Sequence, residues 1–229
     1  MHFYNYLQYY FFLANNWDYR IATHIIGREI KGEKKYQIRT TGADELTKLE
    51  EKGIDISHAN IYMPASFDLL ENVFSNLPIA TYQHFIDIGC GKGRALCVAA
   101  AFGSRKLTGI EFSKSLSDEA KLNLLKTKQK SPAINFKIIN NDAFYYEIPD
   151  DADCIFMFNP FDEIIMSGVL HNIEESLEKH PRKMTIIYLN PMHKHLFLEQ
   201  GYKEIYHYIK LIYMEAVVLT KSPGVGQGL

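Results

Sequence analysis

Two kinds of hydrophobic pattern alternate along most of the chain, from about Gln83 to Lys221. Short apolar runs predict five β-strands, at His84–Gly89, Lys106–Glu111, Asn135–Asn140, Ala152–Asn159 and Met184–Asn190. Longer segments with helical spacing lie between them and predict helices at Gly93–Phe102, Ser115–Lys128, Glu163–Lys179 and Pro191–Gln200. Strands that alternate with helices are typical of a parallel sheet covered by helices on both faces.

The end of the chain departs from this alternation. Tyr206–Ile212 and Tyr213–Thr220 are two extended runs with no helical segment between them. They must therefore pair as a hairpin, which makes one strand antiparallel. The pattern predicts a doubly wound α/β sheet that ends in an antiparallel strand. Residues 222–229 are rich in glycine and are predicted to form a flexible tail.

The first 80 residues are less regular and are predicted to form an N-terminal extension to a domain at 81–221. Met1–Leu13 is dense in tyrosine and phenylalanine, Gly53–Pro64 is predicted to be a loop, and Phe67–Leu77 has helical spacing. The basic stretch Arg28–Lys35 could contact an acidic partner, but a solvated loop is the favoured interpretation. The extension could serve as a lid, a dimer contact or part of the core.

Composition excludes several classes of protein. The 229 residues are 47% apolar and 23% charged, which is ordinary for a globular chain with a sizeable core. The net charge of −2 predicts no strong attraction to nucleic acid or anionic lipid. The three cysteines, Cys90, Cys97 and Cys154, lack the spacing of a disulfide framework or a zinc site, and no other metal site is predicted. No membrane span or signal peptide is predicted, so a cytoplasmic location follows by default.

The strongest chemical motif joins the first predicted strand to the helix after it. Gly89, Gly91 and Gly93 let the backbone turn sharply and let a ligand approach the main chain beside the helix N-terminus. Dinucleotide-binding turns have the spacing G-x-G-x-x-G, and Arg94 stands where their last glycine would be. The carboxylate of Asp87, inside the strand, would repel a pyrophosphate and attract an ammonium group.

Further polar residues follow the next strands. Glu111 lies 18 residues after Gly93, where a carboxylate can accept hydrogen bonds from both hydroxyls of a ribose. Asp142 could accept a hydrogen bond from the exocyclic amine of adenine, with Phe144 beside the ring. The alternative for Asp142 is a turn that leaves the strand.

The fourth predicted strand ends in Asn159-Pro160-Phe161. Ligands of open α/β sheets bind outside the carboxyl ends of the strands, near the point where the strand order reverses. The side-chain oxygen of Asn159 and the carbonyl of Pro160 could both accept hydrogen bonds from a substrate amine. Asp162 is predicted to cap the following helix.

In this order, the segment Asp87 to Gly93, Glu111, Asp142 and Asn159-Pro160-Phe161 resembles the motifs of class I S-adenosylmethionine-dependent methyltransferases. The resemblance covers about Tyr62 to Thr220 and implies a seven-stranded sheet with strand order 3-2-1-4-5-7-6 and an antiparallel strand 7. It implies that the cofactor is held by Asp87, Gly89, Cys90, Gly91, Gly93, Glu111, Phe112, Asp142, Ala143 and Asn159.

Within that cofactor site, the resemblance places the methionine part at Asp87 and the glycines, the ribose at Glu111 and the adenine at Asp142. Tyr62-Met63-Pro64-Ala65-Ser66 resembles a segment of some bacterial and protein-lysine members in which the tyrosine lies over the cofactor.

The activity implied by the resemblance is methyl transfer from S-adenosylmethionine, with Asn159, Pro160 and Phe161 as the catalytic residues. The acceptor is unidentified; an amine nitrogen of a protein or a small molecule is favoured over nucleic acid. Members that methylate bases or glutamine often have Asn-Pro-Pro-Tyr/Phe, and this chain lacks one of those prolines. The alternatives are a non-catalytic module that binds the cofactor and, less favoured because of Asp87 and Arg94, a nicotinamide-dependent oxidoreductase.

Overall fold

The protein is described by a computed structural model that covers residues 2–16, 18–42, 64–159, 161–210 and 214–223. Its helices are α1 (His2–Asn16), α2 (Tyr19–Tyr36), α3 (Phe67–Ser75), α4 (Arg94–Ala101), α5 (Lys114–Lys130), α6 (Glu163–Lys179) and α7 (Lys194–Glu199). Its strands are β1 (Phe85–Ile88), β2 (Lys106–Glu111), β3 (Asn135–Asn140), β4 (Cys154–Phe158), β5 (Met184–Leu189), β6 (Lys203–Lys210) and β7 (Met214–Lys221).

The strands form one seven-stranded sheet in the order β3-β2-β1-β4-β5-β7-β6. β7 runs antiparallel to both β5 and β6, whereas the other pairs are parallel. The predicted fold class and strand order are confirmed. Ile88, the last residue of β1, is level with Ile110 of β2 and Met157 of β4. The carboxyl ends of these strands therefore meet at one edge of the sheet.

The alternation of side chains along each central strand supplies two separate cores. Phe85 and Phe156 face α3, where both meet the ring of Phe74 edge-on, with centroids 5.8 and 6.0 Å away. Their neighbours in the chain, Ile86 and Ile155, face the opposite side of the sheet and pack with the buried side chains of α6. Because both faces are covered, β1 is buried along its whole length.

The N-terminal region contains two helices that the sequence pattern did not predict. Tyr9 and Leu13 of α1 are buried against Ala22 of α2. The basic stretch Arg28–Lys35 belongs to α2, so the interpretation as a loop was wrong. Helical spacing was hard to recognise there because the buried face of α2 carries polar residues rather than an apolar stripe.

Several element boundaries also differ from the predictions. The hairpin strands are Lys203–Lys210 and Met214–Lys221 rather than Tyr206–Ile212 and Tyr213–Thr220. The start of β6 was predicted too late because β6 lies at the edge of the sheet, where exposed polar side chains weaken the apolar pattern. α7 is shorter than predicted because Pro191 and the residues after it form a turn. The predicted loop at Gly53–Pro64, apart from Pro64, and residues 224–229 of the predicted tail lie outside the described residues.

Candidate functional site

The glycine turn, residues 89–93, is held against β2 by its own backbone. The amides of Gly89 and Cys90 both donate to the carbonyl oxygen of Ile110, at 2.9 Å. Gly89, Gly91 and Gly93 have φ angles of 75°, 51° and 77°. Side chains at these left-handed positions would be strained, so glycine is required by the shape of the turn.

Glu111 fastens the turn to the end of β2. Its Oε2 accepts a hydrogen bond from the Gly91 amide at 2.8 Å, and its Oε1 accepts one from the Ser113 amide at 2.8 Å. The side chain is largely buried, with the residue 9% exposed. The carboxylate predicted to bind the ribose is therefore fixed in orientation beside the turn.

Asp87 is a buried acid inside β1. It is 2% exposed, and burial, reinforced by the nearby negative charge of Glu111, raises the pKa of its carboxyl well above the ordinary range. Within the described ranges, no hydrogen bond or ion pair reaches this carboxylate. Burying an ionised carboxylate without a compensating charge is unfavourable. A positive ligand group would therefore be stabilised at this position.

Two glycines near the turn have packing roles. A Cβ atom at Gly93 would lie 2.9 Å from Cδ2 of Leu124, so the missing side chain of Gly93 faces α5. A Cβ atom at Gly109, inside β2, would lie 2.7 Å from the sulfur of Cys90. Gly109 was not among the predicted site residues, although a glycine inside a strand is a signal of close backbone approach.

The end of β3 carries the residues predicted to meet adenine. Asp142 Oδ1 accepts a hydrogen bond from the Phe144 amide at 2.9 Å, which is the turn considered as the alternative role. The ring of Phe144 lies over Gly168 of α6, where a Cβ atom would come within 2.3 Å of it. Phe112 and Phe144 are 44% and 36% exposed, while Ala143 is buried. Two partly exposed rings therefore follow β2 and β3 at the same edge of the sheet.

The end of β4 has a different character. Asn159 has a φ angle of 33°, in the left-handed region. Its Oδ1 accepts a hydrogen bond from the Tyr188 hydroxyl at 3.3 Å, and its Nδ2 donates to the sulfur of Met192 at 3.3 Å. Phe161 is half-buried, and Asp162 caps α6 by accepting from the Ile165 amide, as predicted.

The partners of Asn159 are Tyr188 of β5 and Met192 in the turn after β5, and neither was predicted because nothing in the sequence pattern links them to the end of β4. Tyr62 and Pro160 lie outside the described residues. Among the described residues, no group of three or more histidine, cysteine or acidic side chains could hold a metal ion. None of the described helices is long and apolar enough to cross a membrane.

The architecture is that of a doubly wound nucleotide-binding fold with a methyltransferase-type strand order. Residues 85–184 match a family described as "Methyltransferase domain". This segment is a little under half of the chain and contains the glycine turn, Asp87 and Glu111, so the match supports the methyltransferase resemblance of those motifs.

Known proteins of different acceptor types resemble the chain. The ribosomal RNA large subunit methyltransferase G of Psychromonas ingrahamii is 27% identical over 107 residues, which are 46% of this chain and 28% of that protein. Magnesium protoporphyrin IX methyltransferase from Synechocystis, solved with bound SAM, has a TM-score of 0.50 at 13% identity, covering 68% of this chain and 79% of the other. The ribosomal protein L11 methylase of Lactobacillus delbrueckii has a TM-score of 0.50 at 12% identity, covering 67% and 77%.

Proposed function

We propose that the protein binds S-adenosylmethionine along the carboxyl edge of the sheet and transfers its methyl group to an acceptor. The observation that carries this proposal is the carboxylate of Asp87, which is buried beside the glycine turn with no cation from the described residues. The ammonium group of the cofactor's methionine part would supply that positive charge.

The remaining contacts follow the edge of the sheet. The backbone of Gly89, Cys90 and Gly91 approaches the methionine part, and Glu111 accepts hydrogen bonds from the ribose hydroxyls. Adenine lies near Asp142 and Ala143, with the exposed rings of Phe112 and Phe144 beside it. In this proposal Gly93 acts through packing against α5, and Tyr62 covers the cofactor.

The reaction is a direct displacement at the sulfonium methyl. The acceptor's lone pair forms the new bond to carbon, the carbon–sulfur bond breaks, and S-adenosylhomocysteine leaves with the sulfur's electron pair. The acceptor then loses a proton to solvent if it began as an amine. The cofactor supplies the reactive group, and the protein supplies alignment, which can contribute roughly 7–11 kcal/mol.

Asn159, Pro160 and Phe161 are the proposed acceptor-side residues. The Tyr188 hydroxyl and the Met192 sulfur hold the side-chain amide of Asn159 at a fixed angle. An amide fixed in this way can orient an acceptor amine toward the methyl group.

The acceptor we favour is an amine of a protein or small molecule. RNA is the second candidate, because the Psychromonas relative is a ribosomal RNA methyltransferase. The fold does not decide between them, because one fold supports many substrates. The division into an N-terminal extension (1–80), a cofactor-binding domain (81–221) and a tail (222–229) is part of the same proposal.

Calorimetry with S-adenosylmethionine, S-adenosylhomocysteine and NAD tests the cofactor. We expect the first two to bind and NAD not to bind; binding of NAD alone would overturn the proposal. Transfer of a labelled methyl group to separate protein, RNA and small-molecule fractions then identifies the acceptor class. Cofactor binding with no transfer to any fraction would favour the non-catalytic module.

A further inference from the structure

Arg94 is the first residue of α4 and directly follows the glycine turn. It is 3% exposed, and its guanidinium is engaged on several sides. It forms a two-pronged ion pair with Glu29 of α2, with one N–O distance of 2.9 Å. It also donates to the Thr40 hydroxyl at 2.7 Å and the Ala65 carbonyl at 2.8 Å. The chain has therefore placed a buried arginine where a dinucleotide-binding turn would have glycine.

The partners of Arg94 belong to a larger polar network on the inner face of α2. Glu33, one helical turn after Glu29, accepts hydrogen bonds from the amides of Thr40 and Thr41 and from the Tyr6 hydroxyl. Burial alone would raise the pKa of Glu33, but these hydrogen bonds outweigh it and hold that pKa below the ordinary range. Thr41 also donates to Glu29 at 2.9 Å. The buried carboxylates of Glu29 and Glu33 thus hold residues 40–41 beside Arg94, at the start of α4.

Aromatic packing closes the underside of Arg94. Its guanidinium carbon lies 4.1 Å from the centre of the Phe67 ring, and the ring of Tyr36 stacks on Phe67 with the two ring centres 5.6 Å apart. A Cβ atom at Gly32 would lie 2.1 Å from the same ring. Glycine at position 32 therefore allows α2 to approach closely enough for the ion pair to form.

A second connection reaches the turn independently. The side-chain amide of Asn123 on α5 donates to the carbonyls of Arg39 and Lys92, at 2.9 and 3.0 Å. Its oxygen accepts from the Arg39 amide at 3.0 Å. Residues 39–41 are thus tied to Lys92 within the turn and to Arg94 immediately after it. We call Glu29, Glu33, Thr40, Arg94 and Asn123 the N-terminal clasp.

We propose that Arg94 is a positioning residue for cofactor binding, and that the N-terminal clasp makes the N-terminal helices a working part of the cofactor site. This inference rests on the proposed function. Glycine restricts the backbone less than other residues, so the shape of a turn with three glycines depends on contacts from outside it, such as those of Ile110 and Glu111. An arginine held on several sides fixes the start of α4, whose first amides must face the ligand.

The test compares Arg94→Lys and Glu29→Gln with the wild-type protein. Lysine keeps the charge but loses the planar fork, and glutamine keeps the shape but loses the charge. Affinity for S-adenosylhomocysteine is measured by calorimetry at a temperature where circular dichroism shows each variant fully folded. We expect at least a tenfold loss of affinity in both.

Arg182→Lys is the matched control. Arg182 is a partly buried arginine that, like Arg94, donates to backbone oxygens, here including those of Pro149 and Ser176, but it lies at the opposite edge of the sheet. We expect this variant to lower the melting temperature while leaving the affinity within twofold of wild type. An equal loss of affinity in the control would show a general effect of destabilisation and would overturn the positioning role.

The outcomes separate the two proposals. If the wild-type protein binds neither S-adenosylmethionine nor S-adenosylhomocysteine, the proposed function fails. If the wild type binds and both clasp variants bind equally well, the positioning role fails. Should the clasp variants not fold, Thr40→Val takes their place, because it removes the hydroxyl that accepts from Arg94 and also contacts Glu33. A loss of affinity of threefold or more would support the inference, and any smaller loss would overturn it.

Discussion

Two buried carboxylates, in neighbouring regions of the molecule, have opposite surroundings. Glu29, in the N-terminal clasp, is 3% exposed and is paired with Arg94. Asp87, beside the glycine turn, is 2% exposed, and the negative charge of Glu111 acts on it together with burial to raise its pKa. The fold supplies the counter-charge at the first site. At the second it leaves an electrostatic cost that a cationic ligand would relieve. The two carboxylates therefore differ in their counter-charge, which Arg94 supplies to Glu29 and which no described residue supplies to Asp87.

Replacing Asp87 should give the largest effect. We expect Asp87→Asn to weaken binding of S-adenosylmethionine by about 100-fold or more, since losing one partner of a buried charge pair costs about 3–5 kcal/mol. Titration calorimetry measures this change. An affinity within threefold of wild type would remove Asp87 from the cofactor site.

The same substitution should change how the unliganded protein responds to pH. In the unfolded chain Asp87 ionises near pH 4, whereas in the folded protein its pKa is raised. The wild type should therefore lose stability relative to Asp87→Asn as the pH rises from about 4 through the folded-state pKa. Denaturant unfolding at a series of pH values checks the slope. Glu29→Gln, by contrast, should destabilise the protein at neutral pH because it removes the charge of the carboxylate that is paired with the buried Arg94.

A substitution of Glu111 tests its proposed role in binding the ribose. We expect Glu111→Ala to weaken S-adenosylmethionine and S-adenosylhomocysteine equally, because the two share the ribose, by about 1.5–3 kcal/mol. Parallel calorimetric titrations with the two compounds provide the measurement. A loss confined to one of them would contradict the ribose role.

A substitution of Asn159, at the end of β4, tests the proposed acceptor side of the site. Because its φ is 33°, alanine there would add backbone strain, whereas glycine would keep the backbone and remove only the amide. We expect Asn159→Gly to leave cofactor affinity within about twofold and to lower the single-turnover rate at least tenfold. A normal rate per folded molecule, with the melting temperature measured on the same sample, would remove Asn159 from the catalytic residues.

The smallest effects should come from two glycines of α2. Gly27→Ala meets no atom within 4 Å and should stabilise the protein by about 0.5–1 kcal/mol through helix propensity. The added methyl group of Gly32→Ala would press against the Phe67 ring and should lower the stability of the protein by about 1–3 kcal/mol. Urea unfolding of the pair checks both signs. If the two substitutions changed the stability equally, the close approach of α2 to Phe67 would make no contribution to stability.

Much of the sheet was predictable because its patterns are local. Buried strands such as Cys154–Phe158 are continuous apolar runs, and the hairpin forced one antiparallel strand. The turn from Gly89 to Gly93 and the cap at Asp162 were visible for the same reason, since each depends on neighbouring residues.

The N-terminal clasp could not be predicted in this way. Arg94 contacts Glu29, 65 residues earlier in the chain, and Asn123 contacts Arg39, 84 residues earlier. Single-sequence patterns carry no record of such pairings. The inner face of α2 is also polar, so hydrophobic spacing gave no sign of a buried helix. From the sequence, Arg94 stood out only as a departure from the dinucleotide-binding spacing.

The position of β7 has a consequence for the order in which the molecule is assembled during synthesis. β7 is made after every other strand, yet it lies between β5 and β6, and β6 pairs with no other strand among the described residues. A growing chain that carries only the first six strands has an open backbone edge on β5 and an unattached β6. Open edges of this kind recruit other strands. Addition of β7 therefore completes the sheet, and a chain whose synthesis stops before residue 214 keeps the edge of β5 and the whole of β6 unpaired.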